Sequence, residues 1–467
     1  MSFLIVLAAL CFLMWVAYRG YSVILFAPIA ALGAVFLTDP GLVAPMFTGL
    51  FMDKMVGFLK LYFPVFLLGA VFGKLIEVSG FSKSIVAATI RVVGPQRAML
   101  AIVLVCALLT YGGVSLFVVV FAVYPFAAEL FRQGDIPKRL IPGTIALGAF
   151  TFTMDALPGT PQIQNIIPTT FFKTNTWAAP WLGTIGGLFI LAFGLAYLEW
   201  RRRVALRAGE GYGDPATLLN EPTIFSGGKL ANPLVALLPL LLVGISNKVF
   251  TLLIPRFYGS EYSFEPAVIG NAAPVVQEVS KVAAIWAVQG ALLVGIVCVL
   301  AFAWKPVIAS FAEGTKSAIG GALLAAMNTA SEYGFGAVIA ALPGFLVVAN
   351  ALSAIPNPLV NEAITVSALA GITGSASGGM SIALAAMSET FIANAQAAGI
   401  PMEVLHRVAS MASGGMDTLP HNGAVITLLA VTGLTHRQAY KDIFAITLIK
   451  TAAVFFIIAV FYATGWV

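Results

Sequence analysis

Residues 152–162, FTMDALPGTPQ, and residues 413–423, SGGMDTLPHNG, carry the same string, Met-Asp-x-Leu-Pro, between strongly apolar flanks. Asp155 and Asp417 are therefore carboxylates with hydrocarbon on both sides, and His421 follows the second by four positions. An ionisable group at membrane depth costs at least about 2.5–3.5 kcal/mol on insertion scales and is a functional candidate by default. Burial favours the neutral acid, which suits a proton carrier, and an imidazole titrates in the range that proton coupling uses. Each aspartate could equally cap the short helix that follows it. His406 and His436 each precede an arginine and read instead as residues at a membrane interface that set topology.

Interruptions of this kind occur four times: TYGGVS (110–115), DALPGTPQIQN (155–165), TGSASGGMS (373–381) and DTLPHNG (417–423). Each joins two apolar halves with hydroxyl, amide or carboxylate groups. Irregular backbone at membrane depth is tolerated only where protein buries it or where it lines a water-filled cavity. A broken helix offers free N–H groups at one end, suited to an anion, and free carbonyls at the other, suited to a cation. Anion binding is accordingly expected from Gly112, Gly113 and Ser115 in the first break, and from Thr160, Gln162 and Asn165 in the second. Ser375, Ser377, Gly378, Gly379 and Ser381 serve in the third, and Thr418 and Asn422 in the fourth. A coupling ion falls to Asp155, Asp417 and His421. Glycine pairs in apolar helices more often mark close helix packing, and GTIGG (183–187), with no polar neighbours, is read that way. Lys74 and Glu77 are spaced to pair along a helix. Glu332, Glu389 and Lys281 fall in or beside apolar runs without a readable depth, and Trp177, Trp181, Trp200, Trp304 and Trp466 read as interfacial anchors.

The elements that must hold these groups are membrane helices. Of 467 residues 60% are hydrophobic and 10% charged, where a soluble domain carries about 25% charged residues. Uninterrupted spans read as 2–18, 21–38, 61–78, 178–198, 233–247, 283–303, 333–352 and 443–464; the broken stretches are 97–130, 140–172, 364–397 and 403–434. The first run lacks a basic leader and a small-residue cleavage site, so a retained span is expected rather than a signal peptide. Cys11, Cys106 and Cys298 lie apart in apolar runs, which disfavours disulfide and zinc. The sequence holds no G-x-x-x-x-G-K-[ST] loop, which argues against ATP as the energy source. No cofactor and no metal is called for, and the net charge of +5 is a topology signal rather than a nucleic-acid footprint.

Order repeats along the chain. Gly80-Phe81, Gly112-Gly113-Val114-Ser115, Ile136-Pro137 and Met154-Asp155 recur in sequence as Gly344-Phe345, Gly378-Gly379-Met380-Ser381, Ile400-Pro401 and Met416-Asp417, at nearly constant separation. An internal duplication follows, with residues 1–200 as the first repeat, 201–232 as linker and 233–467 as the second repeat. The linker contains Arg201, Arg202, Arg203, Arg207 and Lys229 and is expected in the cytoplasm. The span 178–198 runs into that basic cluster, whereas 443–464 follows the basic segment HRQAYKD, so the paired spans run in opposite directions. Inverted repeats of this type are common in secondary transporters. The expected fold is an all-α polytopic membrane protein with two inverted repeats, broken helices and re-entrant hairpins.

LPGTPQ (157–162), the ordered motifs and the two-half layout resemble the gluconate permease (GntP) family, within the wider group that includes citrate and dicarboxylate carriers. DTLPHNGAV (417–425) departs from that family's second-half wording. The resemblance implies proton-coupled uptake of hydroxy acids such as gluconate or 3-hydroxybutyrate, scaffold and transport domains, elevator movement and a homodimer in a bacterial inner (plasma) membrane. The resulting expectation is a symporter for a small organic anion coupled to protons, with sodium as the other coupling ion considered. A cation/proton antiporter is the first alternative. An intramembrane hydrolase is the second, without Ser/His pairing or H-E-x-x-H spacing to support it.

Overall fold

The computed structural model describes residues 2–19, 21–94, 97–114, 116–213, 218–221, 230–264, 275–345, 347, 351, 355–420 and 422–467. The chain is an all-α polytopic membrane protein. Among the described residues five helical stretches are long and apolar enough to cross a bilayer: Pro40–Val78, Pro180–Arg207, Pro233–Tyr258, Val279–Ala341 and His436–Thr464. Proline opens several helices at their first turn, where its missing N–H has no helical partner to lose; Pro180, Pro233 and Pro358 are examples. His436–Thr464 starts on a reciprocal capping box between Thr435 and Gln438.

Three element boundaries differ from the sequence expectation. The span read as 283–303 and the first part of that read as 333–352 fall in one element, Val279–Ala341, which is bent at Ala303 (φ −133°, ψ 35°) three residues before Pro306 and ends ahead of extended Leu342. The span read as 61–78 begins earlier, because exposed Asp53 and Lys54 are carried within the helix Met52–Val78 instead of ending it. Pro180–Arg207 continues through the arginines assigned to the linker: Arg202 and Arg203 reach back to Glu199 at 2.6 and 3.1 Å, one helical turn away. Among the described residues the only strands are Glu261–Phe264 and Val275–Glu278, a short antiparallel ladder between two long helices.

All four interruptions in the apolar stretches are breaks between helices. In the first half the order is Ala98–Tyr111, Leu116–Gln133, Ile141–Ala149, Ile163–Phe172 and Pro180–Arg207. In the second it is Pro358–Thr373, Ala376–Ala397, Met402–Gly414, Gly423–Thr432 and His436–Thr464. The halves interlock: Ile163–Phe172 packs on Ala376–Ala397, and its counterpart by order, Gly423–Thr432, packs on Leu116–Gln133. Helix Pro40–Val78 lies mainly against Val279–Ala341, which also receives Val23–Thr38 and Pro233–Tyr258. At the polar end of Pro180–Arg207, buried Asp442 accepts from Arg139 at 3.0 Å, Arg201 at 2.6 Å and Tyr197 at 2.9 Å, joining the last helix to the first half.

Candidate functional site

The four breaks are joined to one another by side-chain hydrogen bonds. Gln162, which precedes helix Ile163–Phe172, donates Nε2 to the Thr110 carbonyl at 2.7 Å and so ties the second break to the first. Gln164, two residues on, donates to Asp417 Oδ2 at 2.8 Å and ties the second break to the fourth. Asp417 Oδ1 accepts from the backbone N–H of Ala376 at 3.1 Å, at the start of helix Ala376–Ala397, and from Asn422 Nδ2 at 3.3 Å. Asn422 also donates to the Gly374 carbonyl at 2.9 Å, joining the fourth break to the third. Segments far apart in sequence therefore form one polar layer inside an apolar protein. Buried polar groups without partners cost several kcal/mol in such surroundings, so the layer holds the broken backbone together.

Local geometry follows from residue type. Ser375 Oγ accepts from Gly378 N at 3.1 Å and Asn422 Oδ1 from Ala424 N at 2.7 Å, both as helix N-caps. Gly113 (φ +95°) makes the turn of the first break in a backbone region that favours glycine. At Gly379 an added Cβ would fall on the backbone of Ala370, so the hairpin of the third break closes only on glycine. Gly112 sits against the Leu240 side chain in the same way.

Around Asp155 lies a second cluster. Its carboxylate is buried, 3.5 Å from the ammonium of equally buried Lys450, and neither carboxylate oxygen has a hydrogen-bond donor among the described residues. An added Cβ at Gly414 would fall on this carboxylate. The Asp155 carbonyl accepts from Arg407 Nη1 and from Ser410 Oγ, both at 2.8 Å. Arg407 is fully buried and spends its remaining donors on Asn165 Oδ1 at 3.0 Å and the Ala178 carbonyl at 2.7 Å. Asn165 also donates to the carbonyls of Thr160 and Thr176 and meets His406 Nε2 at 3.1 Å. Thr160 donates to the Thr153 carbonyl at 2.7 Å. Asn165 and Thr160 thus hold the second break in shape.

The remaining expected residues have mixed environments. Ser377 lies 3.3 Å from Thr329 Oγ1 and 3.4 Å from Ser375 Oγ. Ser381 is buried with its hydroxyl unpartnered among the described residues. Thr418 meets Thr447 Oγ1 at 2.6 Å. Ser115 and His421 lie outside the described residues.

Glu332, read from the sequence without a depth, is buried beside the third break; its carboxylate stands where a Cβ at Gly378 would go, and Oε2 lacks a donor among the described residues. Glu389 is exposed, and Lys281 is an exposed partner of Glu278. Lys74 pairs with Glu77 at 2.9 Å. A cavity of about 430 Å³ opens nearby between helices Met52–Val78 and Ile163–Phe172, with Asp53, Lys54, Tyr62, Thr170 and Tyr333 on its wall.

One sequence expectation is corrected. His406 and Arg407 are not interface residues; both are fully buried, and His406 Nδ1 lies 2.6 Å from Thr174 Oγ1. A run of polar residues in helix Met402–Gly414 reads as a surface face, but the helix is enclosed by neighbours that satisfy it. Trp181, Trp200, Trp304 and Trp466 are more than half exposed, as anchors require, whereas Trp177 packs against Gly159 beneath the Lys248 ammonium. Lys450 and Glu362, to which the sequence reading gives no role, are both buried. The available signal was a lone ionisable residue within an apolar run, which is a functional candidate on solvation grounds alone.

Broken helices, a shared polar layer and buried charges at membrane depth are the attributes of an integral membrane transporter. The crystal structure of the YdaH transporter of Alcanivorax borkumensis has a similar fold, at a TM-score of 0.51 and 15% identity, over 92% of this chain and 90% of that one. The chain is 60% identical, over 475 aligned positions covering all of both proteins, to the uncharacterized transporter YxjC of Bacillus subtilis (strain 168). It belongs to the YxjC transporter family. No family model matches the sequence.

Proposed function

We propose that the protein is a proton-coupled symporter for a small organic anion, with hydroxy acids of the gluconate or 3-hydroxybutyrate type as the first candidates. The observation that carries this is the hydrogen-bonded linkage of all four breaks through Gln162, Gln164, Asp417 and Asn422. Helix N-termini from three breaks open onto this layer, and N-termini favour an anion. Buried Arg407 and Lys450 add positive charge. Of the three titratable residues expected to couple, Asp155 has open acceptor capacity, whereas the Asp417 carboxylate already accepts three hydrogen bonds. Asp155 is therefore the first choice for the proton.

The repeated order of helices and their exchanged packing support inverted repeats. By resemblance to gluconate permeases, a homodimer in the bacterial inner membrane with elevator movement belongs to the same proposal. A cation/proton antiporter is the second reading, favoured by the carbonyls that converge on Lys450. Uptake of labelled gluconate and 3-hydroxybutyrate into proteoliposomes, driven by a pH gradient or by a sodium gradient, separates the two. Accumulation of unchanged hydroxy acid under the pH gradient supports symport; cation flux without organic-acid uptake overturns it.

A further inference from the structure

Lys450 belongs to an apolar stretch of the last helix, yet its ammonium is aimed at a place built for a cation. Nζ donates to the Phe150 carbonyl at 2.6 Å and to the Gly414 carbonyl, and lies 3.5 Å from Asp155 Oδ2. Phe150 caps the C-terminus of helix Ile141–Ala149, and Gly414 ends the α-helical part of Met402–Gly414, where the tighter 3-10 turn Gly415–Thr418 takes over. These two helices hold the same rank in the two halves, so counterpart C-termini meet at one point. A helix C-terminus presents carbonyls without helical donors and carries about half an elementary negative charge, which applies directly at Phe150, while at Gly414 the change to 3-10 geometry tilts the carbonyl toward the ammonium. With the Asp155 carboxylate they make an oxygen-lined, electronegative pocket, the type of site in which broken-helix transporters hold a coupling cation.

We propose that Lys450 is a tethered cation, filling from within the chain the position that a free monovalent cation would otherwise take and making transport independent of sodium. The inference rests on the transporter reading for its consequence in flux, but the site itself can be examined without any substrate. The Lys450 ammonium donates to two carbonyls and sits in ion-pair range of one carboxylate, so it occupies the point on which these oxygens converge. Removing the side chain leaves those oxygens with no counter-charge at this point; the nearest other buried cation, Arg407, is committed to the carbonyls of Asp155 and Ala178. The vacancy would be shaped for a small monovalent cation, sodium or a short alkylammonium.

Purified wild type and Lys450→Ala are compared by thermal unfolding in sodium, ethylammonium or N-methylglucamine chloride at equal ionic strength. Wild type should melt at the same temperature in all three. In N-methylglucamine, Lys450→Ala should melt roughly 10 °C lower, since an uncompensated buried charge remains. Ethylammonium or sodium should recover much of that loss with saturable dependence. A wild type stabilised saturably by sodium, or a variant indifferent to every cation, overturns the proposal. Should Lys450→Ala fail to fold, the charge-neutral pair Asp155→Asn/Lys450→Met decides. With both charges removed it should fold and melt at the same temperature in all three salts; saturable stabilisation by sodium would put cation binding elsewhere and overturn the proposal. If wild type transports no organic anion while the variant still responds to cations, the function proposal fails and the tethered cation stands.

Discussion

The two Met-Asp-x-Leu-Pro segments begin from the same five-residue pattern and end in opposite electrostatic circumstances. Asp417 closes the start of helix Ala376–Ala397 and accepts from a backbone N–H and two carboxamides. Asp155 accepts no hydrogen bond among the described residues and faces a lysine ammonium at 3.5 Å. A carboxylate saturated by neutral donors is an architectural group. One that faces a buried ammonium and accepts no hydrogen bond among the described residues is, on the proposed function, the group free to take a proton without dismantling a helix cap. The sequence carries two copies of a motif, and packing gives them different surroundings.

Neutralising each aspartate in turn is the most forceful way to break this comparison. Asp155→Asn should abolish proton-driven uptake and cost about 3–5 kcal/mol of stability, since it strands the Lys450 charge in the interior. Asp417→Asn should cost about 1 kcal/mol or less and retain coupling, because Asn caps nearly as well as Asp. Uptake under a pH gradient, with melting curves for both variants, provides the measurement; equal losses would erase the distinction.

Gly414→Ala should come next, destabilising by about 1–3 kcal/mol because its Cβ would displace the Asp155 carboxylate. Gly423→Ala, in the same region but with open space around the would-be Cβ, is the matched control and should change the melting temperature little.

Gln164→Ala probes the other aspartate. It removes one of three donors from Asp417 and should cost about 1–3 kcal/mol, with uptake reduced less than by Asp155→Asn. Urea or thermal unfolding together with initial uptake rates tests the ranking. An uptake loss as complete as that of Asp155→Asn would move the coupling step to Asp417.

The smallest effect belongs to the carboxylates outside the membrane, which set a baseline for what an ordinary ion pair does. Hydrogen bonds from Arg139 hold the Glu210 carboxyl below its usual range. Burial alone would push the Glu221 carboxyl up, but hydrogen bonds from Lys138 and Arg132 outweigh it and hold this group low as well. A carboxyl held low stabilises the docked linker above its unfolded value, and that contribution disappears as pH falls through its folded value. Protease cleavage within residues 208–213 should therefore be constant from pH 7 to 5 and rise below about pH 4. A rise already at pH 6 would contradict the pairing.

Much of this architecture was legible in one sequence. Sparse charge dictated a lipid solvent, and glycine, proline and amide clusters marked all four helix breaks, since lipid leaves few other uses for such residues. The repeated order of motifs runs beside a similar order of helices in the two parts of the chain. Lys450 shows the limit. In sequence it is one lysine in IFAITLIKTAAVFF, and its meaning depends on the carbonyls of Phe150 and Gly414, which are hundreds of residues apart along the chain or on another helix. His406 and Arg407 similarly look like a polar helix face until neighbouring segments surround them. Local composition determines where a chain must break and which solvent it needs, because propensity and hydration act residue by residue. Which carboxylate is capped and which is left facing a cation was decided only by tertiary structure, because the field at a buried group is the sum of dipoles and charges that folding brings in from elsewhere in the chain.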